Sequence, residues 1–257
     1  MRRLYVSFLV AFGLFCLVAA PSAAITNGQP DGGAHPYVGI VFNNEIFCSG
    51  TLIAPTVFLT AAHCTSVFAE TFGPDDPVVV SFDPDIFGAM NFVLASSVVS
   101  HPDFCLACAP GLPGFDTYDV GLVLLSEPIT DLGFGALPQP GLLDQLPLKQ
   151  ETFTAVGYGV QEFAVGGGPP QPSALGSRYV ANVQPIGIKN RVGNMFLKIL
   201  ENKGGTCFGD SGGPIFLDDQ VTIVAITSFG NNQVCAGVGY HQRLDREDIL
   251  SFIDGYL

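Results

Sequence analysis

Positive charge is scarce in this chain. Its 257 residues include 10 Lys and Arg against 23 Asp and Glu, a formal net charge of −13. Such an acidic balance sets aside nucleic acid and anionic membrane surfaces as partners. Long apolar runs are scarce too. Only Leu4 to Ala20 approaches the length of a bilayer span, and no later segment does. Gly166-Gly167-Gly168-Pro169-Pro170 lacks the lysine and hydroxyl residue of a phosphate-binding loop, so it reads as a flexible loop. Glu70, Asp75 and Asp76 do not have the spacing of an EF-hand and read as solvated loop acids. No metal cluster stands out, no internal repeat is evident, and no cofactor is expected.

The N-terminus carries a distinct signal. Met1-Arg2-Arg3 precedes the apolar run, and Pro21-Ser22-Ala23-Ala24 follows it. A basic start, an apolar stretch and small residues at the last and third-last positions describe a secretory signal peptide spanning 1–24. An uncleaved membrane anchor is the rival reading; Pro21, Ser22 and Ala24 favour cleavage after Ala24. Removal takes away Arg2 and Arg3 and no acid, leaving 8 basic against 23 acidic residues, a net −15. Cysteine usage agrees with export. Beyond Cys16 the chain has Cys48, Cys64, Cys105, Cys108, Cys207 and Cys235, an even set that suggests three disulfides among fifteen possible pairings. A secreted, extracellular protein without stable membrane association is expected.

Short runs rich in Val, Ile, Leu and Phe recur at 37–42, 51–59, 78–82, 120–125, 152–156 and 221–226, punctuated by Gly, Pro, Asp and Asn. With 31 glycines and 19 prolines, this pattern predicts an all-β barrel or sandwich. One helix is expected at the C-terminus, capped by Asp245, with Asp248 at its positive end and Ile249, Phe252, Ile253 and Leu257 on one face. Residues 133–145 read as a linker.

Two stretches carry chemistry. Gly209-Asp210-Ser211-Gly212-Gly213-Pro214 sets one serine among glycines that bring backbone N–H groups close to a substrate. Thr60-Ala61-Ala62-His63-Cys64 sets a histidine beside a cysteine. A serine hydroxyl needs an imidazole to take its proton, and the imidazole needs a carboxylate to orient it. Of the other histidines, His35 reads as capping or exposing a strand start, His101 lies in a turn before Pro102, and His241 sits near the C-terminal helix. For the carboxylate, Asp119 leads into an apolar run and should lie at the edge of the core, where it needs a partner. Asp116 and Asp103 are rivals.

These stretches resemble the chymotrypsin/trypsin-like serine peptidases. The matching residues are Thr60 to Cys64, Asp119 to Leu125 and Cys207 to Pro214, in the order His, Asp, Ser. The resemblance implies two packed antiparallel six-stranded β-barrels, about 25–135 and about 136–257, with a C-terminal α-helix. It implies Ser211 as nucleophile, His63 as general base and acid, Asp119 as the orienting acid, and the N–H groups of Gly209 and Ser211 as an oxyanion hole. It selects the disulfides Cys48–Cys64 and Cys207–Cys235 and leaves Cys105–Cys108 as a small loop bridge outside the usual set.

The resemblance further implies that Ile25-Thr26-Asn27-Gly28 is a mature start whose freed amino group pairs with Asp210. Gly205 falls at the base of the specificity pocket, followed by Thr206, while Ser228, Phe229 and Gly230 match the strand that binds the substrate backbone. The chain has no tryptophan, and Phe229 stands where the family often carries one. With no acid at position 205, a neutral pocket is expected, taking apolar or small side chains rather than Lys or Arg. The implied activity is that of a secreted serine endopeptidase, expected as a monomer, with protein or peptide substrates and protein inhibitors as partners. A catalytically silent homologue acting as a binding protein is the alternative.

Overall fold

The computed structural model describes residues 25–257 apart from 27, 107, 109–116, 161, 165–170, 174, 189–193, 202–203 and 232–234. The expected signal segment, the Gly166–Pro170 loop and Asp116 lie outside the described residues.

The chain opens with a short strand, β1 (Gln29–Pro30), then builds six strands in succession: β2 (Val38–Phe42), β3 (Phe47–Ala54), β4 (Val57–Thr60), β5 (Val79–Ser81), β6 (Val93–Ser100) and β7 (Gly121–Leu125). These six close into an antiparallel barrel in the order β2-β3-β4-β7-β6-β5. The apolar run at 51–59 is two strands, because Pro55 and Thr56 turn the chain between β3 and β4. A helix, α1 (Ala62–Thr71), follows β4 at once and packs on β6 and β7. It buries Ala62, Cys64, Thr65 and Phe68 and was not among the expected elements, since the one expected helix was at the C-terminus.

The second half contains a four-residue helix, α2 (Leu142–Gln145), within the expected linker, then β8 (Phe153–Gly157), a hairpin of β9 (Glu162–Ala164) and β10 (Gln171–Ser173), β11 (Tyr179–Val183), β12 (Pro185–Gly187), β13 (Phe196–Leu200), β14 (Pro214–Phe216), β15 (Ile223–Gly230) and β16 (Val238–Arg243). Hydrogen bonding orders one eight-stranded antiparallel sheet as β1-β11-β8-β14-β15-β16-β13-β12. Only Gln184 separates β11 from β12, so one bent segment supplies both ends of this order apart from β1. The sheet thereby curls back on itself, and β1 adds an edge to it.

Helix α3 (Glu247–Asp254) ends the fold, and Ile249 and Ile253 are fully buried. Asp245 does not cap it. Its carboxylate instead takes both Arg243 Nε (2.8 Å) and Nη2 (2.8 Å), and the Leu143 N–H at 2.7 Å. A buried carboxylate binds a guanidinium fork more strongly than a helix N–H, so the cap is forfeited. Leu257 lies beyond the helix and is exposed.

The two ends of the chain strap across the halves. Ile249 and Ile253 belong to the apolar cluster that joins the first-barrel core to Val156, Tyr158, Phe216, Ile223 and Ile226, whereas Ile25 is clustered with Leu143, Phe153, Val183 and Leu197 of the second half. Arg178 adds a polar tie. Its guanidinium pairs with Asp31 (3.0 Å) and donates to the carbonyls of Val38 and Phe82, both at 2.9 Å. His35 is buried, not exposed. It bonds Asp31 and stacks on Phe216 at 5.2 Å, because Asp31 four residues earlier offers it a buried acceptor.

Candidate active site

Strand register explains why His63 meets Asp119. β4 and β7 run antiparallel with Thr60 opposite Gly121. Residues just past Thr60 therefore lie opposite residues just before Gly121, which brings positions 63 and 119 together. The His63 ring Nδ1 stands 2.8 Å from Asp119 Oδ2, and the His63 backbone N–H donates to Oδ1 at 2.8 Å. The Ser228 hydroxyl donates to Oδ2 as well. Asp119 has no solvent exposure, and burial alone would push its carboxyl up. The charge and hydrogen bonds of His63, with that of Ser228, outweigh burial and hold it below the usual carboxylate range. Asp103 is exposed, and its backbone N–H donates to the ring Nδ1 of His101 at 3.1 Å.

Ser211 reaches the same cleft from the second half, on the loop before β14. Ser49 of β3 pins this loop. Its N–H donates to the Ser211 carbonyl (2.9 Å), and its hydroxyl donates to the Gly209 carbonyl (2.8 Å) while accepting the Tyr158 N–H (2.9 Å). Gly212 holds φ +77, and a Cβ there would stand 2.1 Å from Thr60 Oγ1; Gly209 holds φ +92, with Phe47 2.3 Å from such an atom. Only glycine combines that backbone with that closeness. The Asp210 N–H turns inward to the Cys207 carbonyl at 3.0 Å. The N–H groups of Gly209 and Ser211, on either side, donate to no described residue.

His63 and Ser211 line one cleft of about 490 Å³, together with Glu70, Glu201, Thr206, Phe208, Ser228, Phe229 and Gly230. Three disulfides frame it: Cys48–Cys64, Cys207–Cys235 and Cys105–Cys108. Cys48 and Cys64 lie beside His63, but their sulfurs are joined to each other and offer no thiolate to a metal. Phe229 stacks on Tyr240 at 5.0 Å, which fixes its ring beside the cleft.

Three placements differ from the sequence expectation. Gly205 is buried behind the cleft and does not line it. Glu201, which no motif singled out, does line it. Glu70, read as a solvated loop acid, also belongs to the lining. His241 lies within β16 with no exposure, and its Nε2 stands 3.7 Å from Glu201. The one signal for Glu201 in the sequence was its place as the single acid between Glu162 and Asp210.

At the start of the described chain, Ile25 is fully buried, and Thr26 is bridged to Gly205, whose N–H donates to the Thr26 carbonyl at 3.1 Å. Ile25 holds φ +47, a left-handed conformation costly for a β-branched side chain. Asp210 is fully buried and accepts only the N–H groups of Gly159 and Cys207, each at 2.8 Å, among the described residues. Burial pushes its carboxyl up to about 7 against those two bonds. No helix among the described residues is long and apolar enough to cross a membrane.

Comparison with known proteins agrees with this architecture. The family model described as Trypsin matches residues 25–246. Glandular kallikrein-10 of Rattus norvegicus is 31% identical over 197 residues, covering 73% of this chain and 72% of the relative. CLIP domain-containing serine protease B15 of Anopheles gambiae is 25% identical over 272 residues, covering 89% and 70%. Among solved structures, HL collagenase superposes with a TM-score of 0.68 at 21% identity, over 90% of this chain and 97% of its own. The chain belongs to the chymotrypsin/trypsin-like serine peptidase family.

Proposed function

We propose that the protein is a secreted serine endopeptidase that cleaves peptide bonds through an acyl-enzyme formed on Ser211. The observation that carries this reading is a half-buried imidazole, held by a fully buried carboxylate, in one cleft with Ser211. In this mechanism His63 takes the Ser211 proton as Oγ attacks the scissile carbonyl. Asp119 holds the ring with Nδ1 protonated and stabilises the imidazolium that results. The carbonyl oxygen becomes an oxyanion, for which the N–H groups of Gly209 and Ser211 are the proposed donors. Their lack of a partner among the described residues supports that role. His63 then gives its proton to the leaving amine, and water repeats the sequence to release the acid.

Activation is proposed to follow cleavage after Ala24. The freed Ile25 ammonium would supply the cation that the Asp210 carboxylate lacks, and cutting the bond before Ile25 would remove the dihedral strained at φ +47. N-terminal sequencing of exported, active material is expected to read Ile-Thr-Asn-Gly; a start several residues upstream would reject this route.

The test of function is labelling by a fluorophosphonate. Label on Ser211, lost in Ser211→Ala, together with cleavage of a peptide library, is the expected result. Folded protein that takes no label at Ser211 would instead be a silent homologue that binds through this cleft.

A further inference from the structure

Among the described residues, the cleft beneath Ser211 holds a buried acid without a cation. Glu201 is 4% exposed, yet it lines the cleft. Its stem packs on Gly205, where an added Cβ would stand 2.5 Å from Glu201 Cγ. Its carboxylate lies flat on Gly239 of β16, 2.3 Å from where a Cβ there would be. These two glycines leave the space that lets an acid from outside the serine loop reach the pocket wall. Oε1 accepts the Thr206 N–H at 3.1 Å and the Thr206 hydroxyl at 2.5 Å. Oε2 has no hydrogen-bond donor among the described residues.

The groups facing Glu201 do not neutralise it. His241 Nε2 is 3.7 Å away, but burial pushes that imidazole down to about 3, so it is uncharged at working pH. Asp210 adds negative charge nearby. Burial first, and Asp210 second, push Glu201 up to about 7 against the Thr206 bonds. Among the described residues no Lys or Arg lines the cleft, and its other acid, Glu70, lies at its exposed edge. An ionised carboxylate removed from water without a counter-charge is costly, and a cation brought in by a ligand relieves that cost.

We propose that Glu201 is a specificity-determining residue that selects substrates with a cationic side chain, arginine or lysine, on the acyl side of the scissile bond. This rests on the peptidase reading above. It replaces the neutral pocket expected from Gly205: the charge is supplied from four residues upstream of that position. Because a guanidinium binds the ionised carboxylate, preference for it rises as Glu201 loses its proton.

The experiment compares fluorogenic peptides identical except for arginine, its neutral isostere citrulline, or leucine at the position before the cut, at about pH 6 and about pH 8.5. The ratio of kcat/KM values cancels the titration of His63, which all three substrates share. The expected arginine-to-citrulline ratio is on the order of 10 or more at the higher pH, shrinks at the lower pH, and drops on the order of 10-fold in Glu201→Gln. Leucine preferred over arginine, or a ratio that E201Q leaves unchanged, overturns the proposal. Should E201Q not fold, competitive inhibition of the wild type by benzamidine decides: the proposal requires it to tighten with rising pH and to exceed inhibition by uncharged benzamide. Fluorophosphonate labelling of the wild type separates the failures. Labelled enzyme that ignores arginine refutes the role of Glu201 alone, whereas unlabelled protein refutes the peptidase reading and this one with it.

Discussion

Under the proposed activation, Asp210 is expected to ionise at a different cost according to whether Ile25 begins the chain, and that difference is measurable. In the full-length chain burial raises this carboxyl from 3.8 to about 7. At about 1.4 kcal/mol per tenfold, the rise corresponds to about 4 kcal/mol. The folded pKa lies above the unfolded one, so the unfolded chain gives up its proton first. Stability of the full-length fold is therefore whole below about pH 4 and falls until about pH 7. A chain starting at Ile25 would, on this reading, bring an ammonium to hold Asp210 ionised, and that loss should vanish. The gap between the two forms should widen by about 4 kcal/mol between pH 4 and pH 7, or about 8–16 °C in Tm for a domain of this size. Calorimetry in a Ser211→Ala background, which prevents self-digestion, gives the comparison. One form retains Ala24 before Ile25 and the other starts at Ile25. Glu201 is common to both and cancels. Parallel pH profiles for the two forms would refute the pairing of residue 25 with Asp210.

Three further outcomes follow from the same geometry. Asp119→Asn keeps the shape but offers His63 an N–H where it needs an acceptor, and kcat should fall about 10⁴-fold with little change in KM, as steady-state kinetics would reveal. Ser49→Ala leaves the buried Tyr158 N–H without its acceptor and frees the Gly209 carbonyl, so denaturant unfolding should show a loss of about 1–3 kcal/mol; an unchanged midpoint would argue against this strut. Disulfide removal should scale with loop length: about 2 kcal/mol for Cys105–Cys108, whose ends are 3 apart in sequence, and about 3.6 kcal/mol for Cys207–Cys235, 28 apart, tested by paired Cys→Ser variants in thermal melts.

Much of the architecture could be read before any coordinates. Short apolar runs between Gly and Pro marked β2, β4, β5, β7 and β8 because each strand there is buried along most of its length. The pairing of His63 with Asp119 was legible for a related reason: each sits just off the end of such a run. What escaped reading depended on side-chain directions and packing that the residue order does not reveal. Helix α1 carries Thr65, Ser66 and Thr71, and its apolar face is set by packing on β6 and β7 more than by composition. Asp245 looked like a cap because Arg243, which claims it, sits on a strand whose side-chain direction the sequence does not reveal. Glu201 was passed over for the same cause, since its isolation as an acid does not say which way its side chain points. Its place in the cleft is settled by Thr206 donors and by two glycines, one of them on β16.

The crossed straps of the fold bear on how the protein is made. A first barrel emerging from the ribosome closes with its own six strands but still lacks Ile249 and Ile253, which share its apolar cluster. Each such side chain contributes about 1.5–3 kcal/mol once buried. Likewise the second half, taken alone, would lack β1 and the buried Ile25. Each half thus shares core side chains with the other end of the chain, so separate expression of the two halves is expected to yield fragments that mature only when mixed.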